Sequence, residues 1–294
     1  MFFDIHAHVY KYQYPDVSGH MLFINKEQLI EIHDRLEIEQ AVLLPLVSPE
    51  VYVPQSVGEI IDIANDSNGR FIPFCNIDPR VLTNTADAPL GNLLNYYKKL
   101  GCKGIGEVLP NLAWNDPRMQ NLLKHVEEVE FPLIFDMTGN LNSGYGIYDE
   151  PGMPQLESCL NKFPKLTFIG HGPAFWAEIS ELKNPSDRYG YPNYSVYKEG
   201  RIAYLMRTYP NLWVELSAGS GANAMMRDKQ YAISFLNEFQ GRILFGSDIC
   251  YYNQKHRIGD FLKELCREGH ITFETFEKIA ADNTRKMLGI SKVA

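Results

Sequence analysis

Two histidines at the end of the first apolar segment are the first residues of this chain that could do chemistry. The segment opens the chain as FFDIHAH and places His6 and His8 two positions apart. Side chains of a strand alternate between its faces, so both imidazoles point the same way and could share a divalent metal ion. Two polar residues where a strand meets solvent would give the same pattern, so the rest of the chain must separate the two interpretations.

Further polar side chains follow the later apolar segments in the same way. In chain order they are Asn76 and Asp78, Glu107, Asp136, His171, Glu215 and Ser217, and Asp248. Each one alone is explained as a polar residue that starts a loop. Together they supply imidazole and carboxylate groups, the ligands that Zn²⁺ and Mn²⁺ accept, at one strand end after another.

The elements that must position these groups alternate between short apolar runs and segments with helical spacing. The runs begin near Phe2, Gln40, Phe71, Lys103, Pro132, Leu166, Leu212 and Ile243. Eight β-α units at intervals of roughly thirty residues predict a (β/α)₈ TIM barrel, with the active site at the C-terminal ends of the strands. An open doubly wound sheet is the alternative, but it would need a glycine-rich phosphate turn where this chain reads HAHVYKYQY. We treat residues 1–294 as one domain.

Two predicted loops are longer than a minimal βα connection. One runs from Tyr10 to Ile24, and the other, from Pro173 to Lys198, is rich in Tyr, Pro, Gly and Asn. Such a segment is typical of an ordered loop over an active site, and equally of a variable surface insertion. A last helix, Phe273 to Leu288, is expected to pack on the outside of the barrel.

The composition excludes several classes of protein. The chain has a net charge of -8 and a pI near 5.5, which argues against a nucleic-acid partner. No apolar stretch is long enough to cross a bilayer, and the first strand stands where a secretory signal would be. The five cysteines are scattered and form no CxxC pair, so we expect a reducing, cytoplasmic location.

Three motifs carry a resemblance to a known family. HAH on the first strand, FIGHGP on the sixth and FGSD on the eighth resemble the amidohydrolase superfamily. The nearest resemblance is to the amidohydrolase-related family that includes decarboxylases of the aminocarboxymuconate-semialdehyde type, and KGIGEVLP, NDPRMQ and NLWVELSAG are similar to its segments. The resemblance implies a distorted (β/α)₈ barrel that holds one or two divalent ions, and it favours a homodimer.

The resemblance also implies roles for particular residues. His6 and His8 would be metal ligands, His171 a ligand or a catalytic acid/base, and Asp248 a ligand that also accepts a proton. Glu107 is a further candidate ligand, because some branches use a carboxylate on the fourth strand. Zn²⁺ is the first choice of metal and Mn²⁺ the second.

The fifth strand departs from the family pattern. Where relatives show a histidine in a segment like IHTG, this chain reads FDMTG and places Asp136. A carboxylate can still bind Zn²⁺ or Mn²⁺. We expect Asp136 either to contact the metal directly or to accept a hydrogen bond from a ligand histidine, with the second role slightly favoured.

Three functions are compatible with this pattern. The first is a metal-dependent hydrolase in which an activated water attacks an amide, lactone or ester of a small molecule. The second is a metal-dependent decarboxylase, which would need a cation for the substrate carboxylate, such as Arg80 or Arg188. The third is a barrel without catalysis that binds a small molecule or a protein. Candidate substrate-binding residues are Tyr10, Arg80, Trp176 and Tyr251.

Overall fold

Eight parallel strands form the centre of the computed structural model, which describes residues 1–15, 19–51 and 53–291. The strands are β1 (Phe2–Ala7), β2 (Ile38–Leu43), β3 (Phe71–Pro73), β4 (Ile105–Val108), β5 (Leu133–Thr138), β6 (Phe168–His171), β7 (Leu212–Glu215) and β8 (Ile243–Leu244). All eight predicted strands are present, and each starts within two residues of the predicted position.

The strands follow one another in sequence order around a barrel. β1, β2 and β3 form one parallel sheet, and β4 to β8 form a second. Isolated bridges join the two sheets, Cys75 with Ile105 between β3 and β4, and Ala7 with Ile249 beyond β8. The alternative of an open doubly wound sheet is therefore wrong, and the C-terminal ends of all eight strands meet at one rim.

Helices occupy the connections between the strands. They are α1 (Lys26–Arg35), α2 (Val57–Asn65), α3 (Leu90–Lys99), α4 (Pro117–Val129), α5 (Pro154–Lys162), α6 (Pro173–Ala177), α7 (Arg201–Thr208), α8 (Ala218–Met226), α9 (Lys229–Glu238), α10 (Ile258–Arg267), α11 (Phe273–Glu277) and α12 (Asn283–Leu288). A 3₁₀ turn lies at Pro185–Tyr189. None of the described helices is both long and apolar enough to cross a membrane.

Local sequence signals explain where several of these helices begin and end. The Asn25 side chain accepts a hydrogen bond from the backbone N–H of Gln28, whose own side chain accepts one from the Asn25 backbone, so a capping box starts α1. Asp116 caps α4 ahead of Pro117. After α3, Gly101 adopts a φ of 100°, a backbone conformation that side chains with a Cβ rarely accept.

The last helical segment differs from its prediction in shape and position. A π turn at Lys278–Asp282 interrupts it, and this turn leaves the carbonyl of Ile279 to accept a hydrogen bond from the backbone N–H of Phe245 at 3.0 Å. Ala281 and Leu288 join the buried cluster inside the barrel. The segment therefore covers the barrel interior as well as packing beside it, which amphipathic spacing alone does not reveal.

Both long loops carry some ordered structure. In the first, Tyr14–Pro15 pairs antiparallel with Met21–Leu22. The second contains α6 and the 3₁₀ turn, and the short strand Ile147–Tyr148 pairs with the end of β5 nearby. These segments lie at the C-terminal rim, where they can build the walls of a site.

Candidate metal centre

The structure brings all six predicted metal-site residues together at the C-terminal rim. A cavity of about 320 Å³ opens there. Of the predicted residues, those that line it are His8, Glu107, Asp136, His171, Tyr251 and Asp248. His6 lies beneath the cavity floor and is completely buried.

The carboxylate oxygens of Glu107 and Asp248 each lie close to both histidine nitrogens, at separations that a shared metal ion requires. The Nε2 atoms of His6 and His8 are 3.0 Å apart. Glu107 Oε2 lies 3.6 and 3.5 Å from these two nitrogens, and Asp248 Oδ1 lies 3.6 and 3.3 Å from them. A tetrahedron whose metal-ligand bonds are about 2.0–2.1 Å long has edges of about 3.3–3.4 Å. The donor set and its spacing therefore fit Zn²⁺ or a similar divalent ion.

The Nδ1 atoms of both histidines, which point away from the metal site, already have hydrogen-bond partners. His6 Nδ1 lies 3.1 Å from Glu215 Oε1, and His8 Nδ1 lies 2.9 Å from the carbonyl oxygen of Leu44. When Nδ1 donates to a carboxylate or carbonyl, the ring is held in place and Nε2 is left with its lone pair. Both histidines are thus oriented as metal ligands.

Glu215 holds a third histidine as well. His171 Nδ1 forms an ion pair with Glu215 and lies 3.1 Å from Ser217 Oγ, and His171 Nε2 lies 3.5 Å from Glu107 Oε1. Burial acts to lower the pKa of His171, but the negative charge of Glu215 outweighs it and raises this pKa to about 9. Burial acts to raise the pKa of Glu215, yet His171 and His6 hold it far below its ordinary value. His171 therefore carries a proton when no metal competes for its nitrogen.

Backbone contacts fix Asp248 beside the histidines. Its φ of 52° lies in the left-handed region, and its N–H donates to the carbonyl of His6 at 2.7 Å. Burial acts to raise the pKa of Asp248, but the positive charge of His6 and a hydrogen bond from His8 lower it. The carboxylate is thus ionised and able to bind a cation or take up a proton.

Asp4 ties the first strand to the last, a role that sequence reasoning missed. Its Oδ1 accepts hydrogen bonds from the backbone N–H of His6 at 2.9 Å and of Ser247 at 2.8 Å. The Ser247 hydroxyl donates to the other carboxylate oxygen. The only signal in the sequence was a charged residue inside the apolar run FFDIH.

Asp136 is the exception in this network. It is 5% exposed, and its Oδ1 has no hydrogen-bond partner among the described residues. A ligand atom of Asp136 lies within 4.8 Å of ligand atoms of Glu107 and His171. Burial and the negative charge of Glu107 raise the pKa of Asp136 well above its ordinary value. The favoured expectation, a hydrogen bond to a ligand histidine, is not met in this structure.

Two motif glycines make room for these carboxylates. A Cβ on Gly172 of FIGHGP would lie 1.8 Å from Asp136 Oδ1. A Cβ on Gly246 of FGSD would lie 2.7 Å from Glu215 Oε2. Any other residue would displace a carboxylate of the site, so the motifs and the buried acids depend on each other.

Of the predicted substrate-binding aromatic residues, only Tyr251 reaches the cavity. Tyr10 is buried in a separate cluster, and its hydroxyl donates to the carbonyl of Val53 at 2.9 Å. Trp176 is buried behind β7, where its Nε1 donates to the carbonyl of Glu215 at 3.2 Å. Both rings therefore pack behind the cavity wall and do not line it. The sequence did not show this, because an aromatic ring near the rim of a barrel can face either the cavity or the core.

The two arginines considered for a substrate carboxylate are also placed elsewhere. Arg80, the fourth predicted substrate-binding residue, does not line the cavity and forms ion pairs with Asp78 and Glu50. Arg188 is buried and pairs with Glu178 at 3.0 Å. Their charges are already neutralised, so neither is available to a ligand in the cavity.

The long loops supply cavity residues that the sequence did not single out. Phe23 comes from the first loop and Tyr191 from the second, and both line the cavity. Tyr145, after β5, lines it as well. The second loop is therefore an ordered segment at the site, which was one of the two interpretations of its composition, although the individual cavity residues of either loop had no signal in the sequence.

Comparison with known proteins identifies the family. The family model described as Amidohydrolase matches residues 61–290. The chain therefore belongs to the amidohydrolase family. Among curated proteins, no sequence matches it significantly.

Solved structures share the fold at low sequence identity. A probable 2-pyrone-4,6-dicarboxylic acid hydrolase from Acinetobacter baumannii, with citric acid bound, is 15% identical, with 98% of this chain and 99% of that chain covered and a TM-score of 0.59. A 5-carboxyvanillate decarboxylase from Sphingomonas paucimobilis is 17% identical over 94% and 84%, with a TM-score of 0.57. An amidohydrolase from Burkholderia multivorans with bound zinc is 13% identical over 99% and 100%, with a TM-score of 0.61.

Proposed function

We propose that this protein is a metal-dependent hydrolase that cleaves an amide, lactone or ester of a small molecule. The observation that carries the proposal is the pair of Nε2 atoms on His6 and His8 together with a carboxylate oxygen of Glu107 and one of Asp248, each of which lies 3.3–3.6 Å from both nitrogens. A zinc-bearing amidohydrolase of the same fold supports the choice of Zn²⁺.

The chain's own residues suit a hydrolytic reaction. The divalent ion would supply a Lewis acid that activates water and polarises the substrate carbonyl. Asp248 accepts the proton of the attacking water and returns it to the leaving group. His171, when protonated, presents positive charge to the oxygen on which negative charge develops. Glu107 and His8 also line this cavity, where they would hold the ion beside the substrate carbonyl.

Decarboxylation is the second candidate, and the charge of the cavity disfavours it. Among the residues that the structure describes, none that lines this cavity is a lysine or an arginine. Glu107 and Asp248 line it instead as ionised carboxylates, and their negative charges oppose the binding of a substrate carboxylate. Both solved hydrolases and solved decarboxylases share the fold, so the likeness alone does not choose between the reactions.

The test combines a neutral substrate panel with one substitution. Zinc-loaded protein is assayed with 4-nitrophenyl acetate, δ-valerolactone and acetanilide, and with benzoate derivatives for release of CO₂. Asp248→Asn keeps the shape of the side chain but removes the base, so kcat should fall by at least about 100-fold. Asp62→Asn, on the exposed face of α2, is the matched control.

Two results would contradict the proposal. One is release of CO₂ without hydrolysis of any neutral substrate. The other is a rate close to wild type in Asp248→Asn when its metal content, measured by mass spectrometry, is unchanged.

A further inference from the structure

A second cavity adjoins the metal-site cavity. It has a volume of about 840 Å³ and lies beside the loop after β8 and the helix α8. The residues that line both cavities are Tyr191, Ala218, Gly219, Tyr251 and Gln254. We call this second cavity the outer groove. A ligand that enters the metal site along this wall would occupy both spaces.

The outer groove has the opposite charge to the metal-site cavity. Arg227, Lys255 and Arg257 line it. Within the described parts of the chain, none of the three forms an ion pair with a carboxylate, and no aspartate or glutamate lines the groove. Cations on protein surfaces are commonly neutralised by nearby acids, as Arg207 is here by Glu199 and Glu238. Three cations without such partners create a positive potential in the groove.

Arg227 is held in place without a direct ion pair, and the carboxylates of Asp187 and Asp228 act on it only at longer range. Its Nη1 donates to the carbonyl of Pro192 at 3.0 Å, and the guanidinium lies 5.4 Å from the ring centre of Tyr194. Its Nε is buried and has no hydrogen-bond partner among the described residues. The neighbouring Asp228 instead accepts hydrogen bonds from backbone N–H groups, at 3.0 Å from both Val196 and Tyr231.

A second nitrogen of the groove also lacks a partner. His256 lines the groove, and its Nε2 is buried without a hydrogen bond to any described residue. A buried polar nitrogen without a partner costs free energy, which a ligand atom or an ordered water can recover. Arg227 and His256 thus each keep an unpartnered buried nitrogen in the lining of a groove that carries three cations.

We propose that the substrate is bipartite: a neutral scissile carbonyl at the metal centre and, some bonds away, a carboxylate or phosphate group that binds the outer groove through Arg227, Lys255 and Arg257. This inference rests on the proposed hydrolytic function. Guanidinium groups match carboxylate and phosphate oxygens in a bidentate geometry, and lysine adds a point charge. The acidic metal-site cavity would then prevent the anionic end from binding in the reverse orientation.

Direct binding tests the groove without requiring turnover. Calorimetry of the zinc-loaded protein with glutarate, and separately with inorganic phosphate, measures Kd for the variant R227Q/K255Q/R257Q and for wild type. Each contact to a charged group contributes a factor of about 10 to 100, so the Kd of the preferred anion should rise at least about 100-fold in the triple variant. The anion whose Kd rises in this way shows whether the groove binds a carboxylate or a phosphate group.

Two matched variants separate the groove from net charge and from the metal. K99Q/K103Q/K165Q removes the same charge from exposed lysines near the start of β4 and β6, at the opposite end of the barrel, and should bind like wild type. H6A/H8A should retain anion binding if the groove holds the anion. Absence of binding in wild type, equal Kd in R227Q/K255Q/R257Q, or loss of binding in H6A/H8A alone would overturn the proposal.

Kinetics then test whether the groove serves the substrate. The probes are the 4-nitrophenyl hemiesters of succinic, glutaric, adipic and pimelic acid, each paired with its neutral methyl-terminated isostere. We expect one chain length to give a KM about 10-fold below that of its isostere, and R227Q/K255Q/R257Q to abolish this ratio. Ratios near one at every length would overturn the assignment to the substrate. If no ester is hydrolysed at all, the proposed function fails, while the calorimetry still decides whether the groove binds anions.

Discussion

Glu215 and Asp136 are both buried carboxylates at the ends of barrel strands, yet their surroundings differ completely. Glu215 accepts hydrogen bonds from the backbone N–H of Ser217 at 2.6 Å and from its hydroxyl at 2.8 Å, and it also binds His6 and His171. Asp136 Oδ1 has no partner among the described residues. The pKa of Glu215 is lowered, whereas burial and the charge of Glu107 raise that of Asp136.

The difference shows that partners, rather than burial, decide what a buried acid does. The protein itself supplies all the hydrogen-bond and ion-pair partners of Glu215, so this residue belongs to the scaffold that orients the histidines. The described residues supply no partner for Asp136 Oδ1, so an ionised Asp136 needs a partner from outside the chain, such as a cation. We therefore expect Glu215 to act on the metal through His6 and His171, and Asp136 to act on it directly.

The largest expected effect follows from removing the two histidine ligands of β1, one of which, His6, Glu215 orients. The variant His6→Ala/His8→Ala loses two of four ligand atoms and should retain no zinc after dialysis, as measured by mass spectrometry. The control, His125→Ala/His270→Ala, removes one histidine from α4 and one from the bend after α10, and it should keep the wild-type stoichiometry. A wild-type protein that binds neither Zn²⁺ nor Mn²⁺ would refute the metal centre itself.

Removing only the orienting carboxylate should weaken the site rather than abolish it. Glu215→Gln leaves His6 Nε2 and His8 Nε2 in place but removes the negative charge and one of the two acceptor oxygens beside the rings of His6 and His171. Zinc affinity should fall about 10- to 100-fold, measured by competition with a chelator. Glu27→Gln, on the exposed surface of α1, should leave the affinity unchanged. An unchanged affinity in Glu215→Gln would mean that the rings are held by packing alone.

The sequence could predict the position of residues whose role follows from the pattern of their own segment. The eight strands were predictable because each is an apolar run between helical segments, and a closed barrel then brings their polar ends to one rim. His6, His8, Glu107 and Asp248 were therefore predictable as neighbours. The same residues indicated a divalent metal ion, and the family resemblance added the roles of the individual ligands.

The parts that failed depend on contacts between distant segments. Glu215 meets His6 across 209 positions, and Asp4 meets Ser247 across 243. Nothing local distinguishes such a carboxylate from a polar loop start. Tyr10 and Trp176 failed for a related reason, because the spacing of an aromatic residue does not reveal whether its ring lines a cavity or supports the wall behind it.

The pH dependence of stability separates the two carboxylates further. In metal-free protein the pKa of His171 is about 9 in the folded state, above its ordinary value of 6.5. The folded state therefore binds the proton more tightly, and this stabilisation is complete below pH 6.5 and is lost as the pH rises towards 9. We expect the free energy of unfolding to fall by about 1 to 3 kcal/mol over this interval. Urea unfolding in a chelator at several pH values measures it.

Glu215→Gln should flatten this profile, because the charge that raises the pKa of His171 is gone. Asp136→Asn should remove only the part of the loss that ionisation of Asp136 contributes, and the part due to the His171–Glu215 ion pair should remain. A slope that Glu215→Gln does not change would show that another group, rather than the His171–Glu215 ion pair, carries the pH dependence.

The smallest expected effect concerns Asp136, whose substitution should change the free energy of unfolding in the opposite direction to that of Glu215. In metal-free protein the carboxylate has no partner for Oδ1, so Asp136→Asn should increase the free energy of unfolding by about 1 kcal/mol, whereas Glu215→Gln should decrease it. Because the folded-state pKa of Asp136 is raised, the folded state holds the proton and its stability falls as the pH rises above the ordinary value of 3.8. The gain from Asp136→Asn should therefore be larger at pH 8 than at pH 5.

With zinc bound, Asp136→Asn should be unfavourable, in contrast to its stabilising effect on the metal-free protein. A cation gives Asp136 the partner that the protein lacks, so Asp136→Asn should lower zinc affinity although it stabilises the metal-free protein. Chemical unfolding with and without zinc, together with calorimetric titration of the metal-free protein, measures both halves of this reversal. If Asp136→Asn changes neither stability nor affinity, then Asp136 is only the polar residue that starts a loop, and this chain has lost the function that the fifth-strand histidine serves in its relatives.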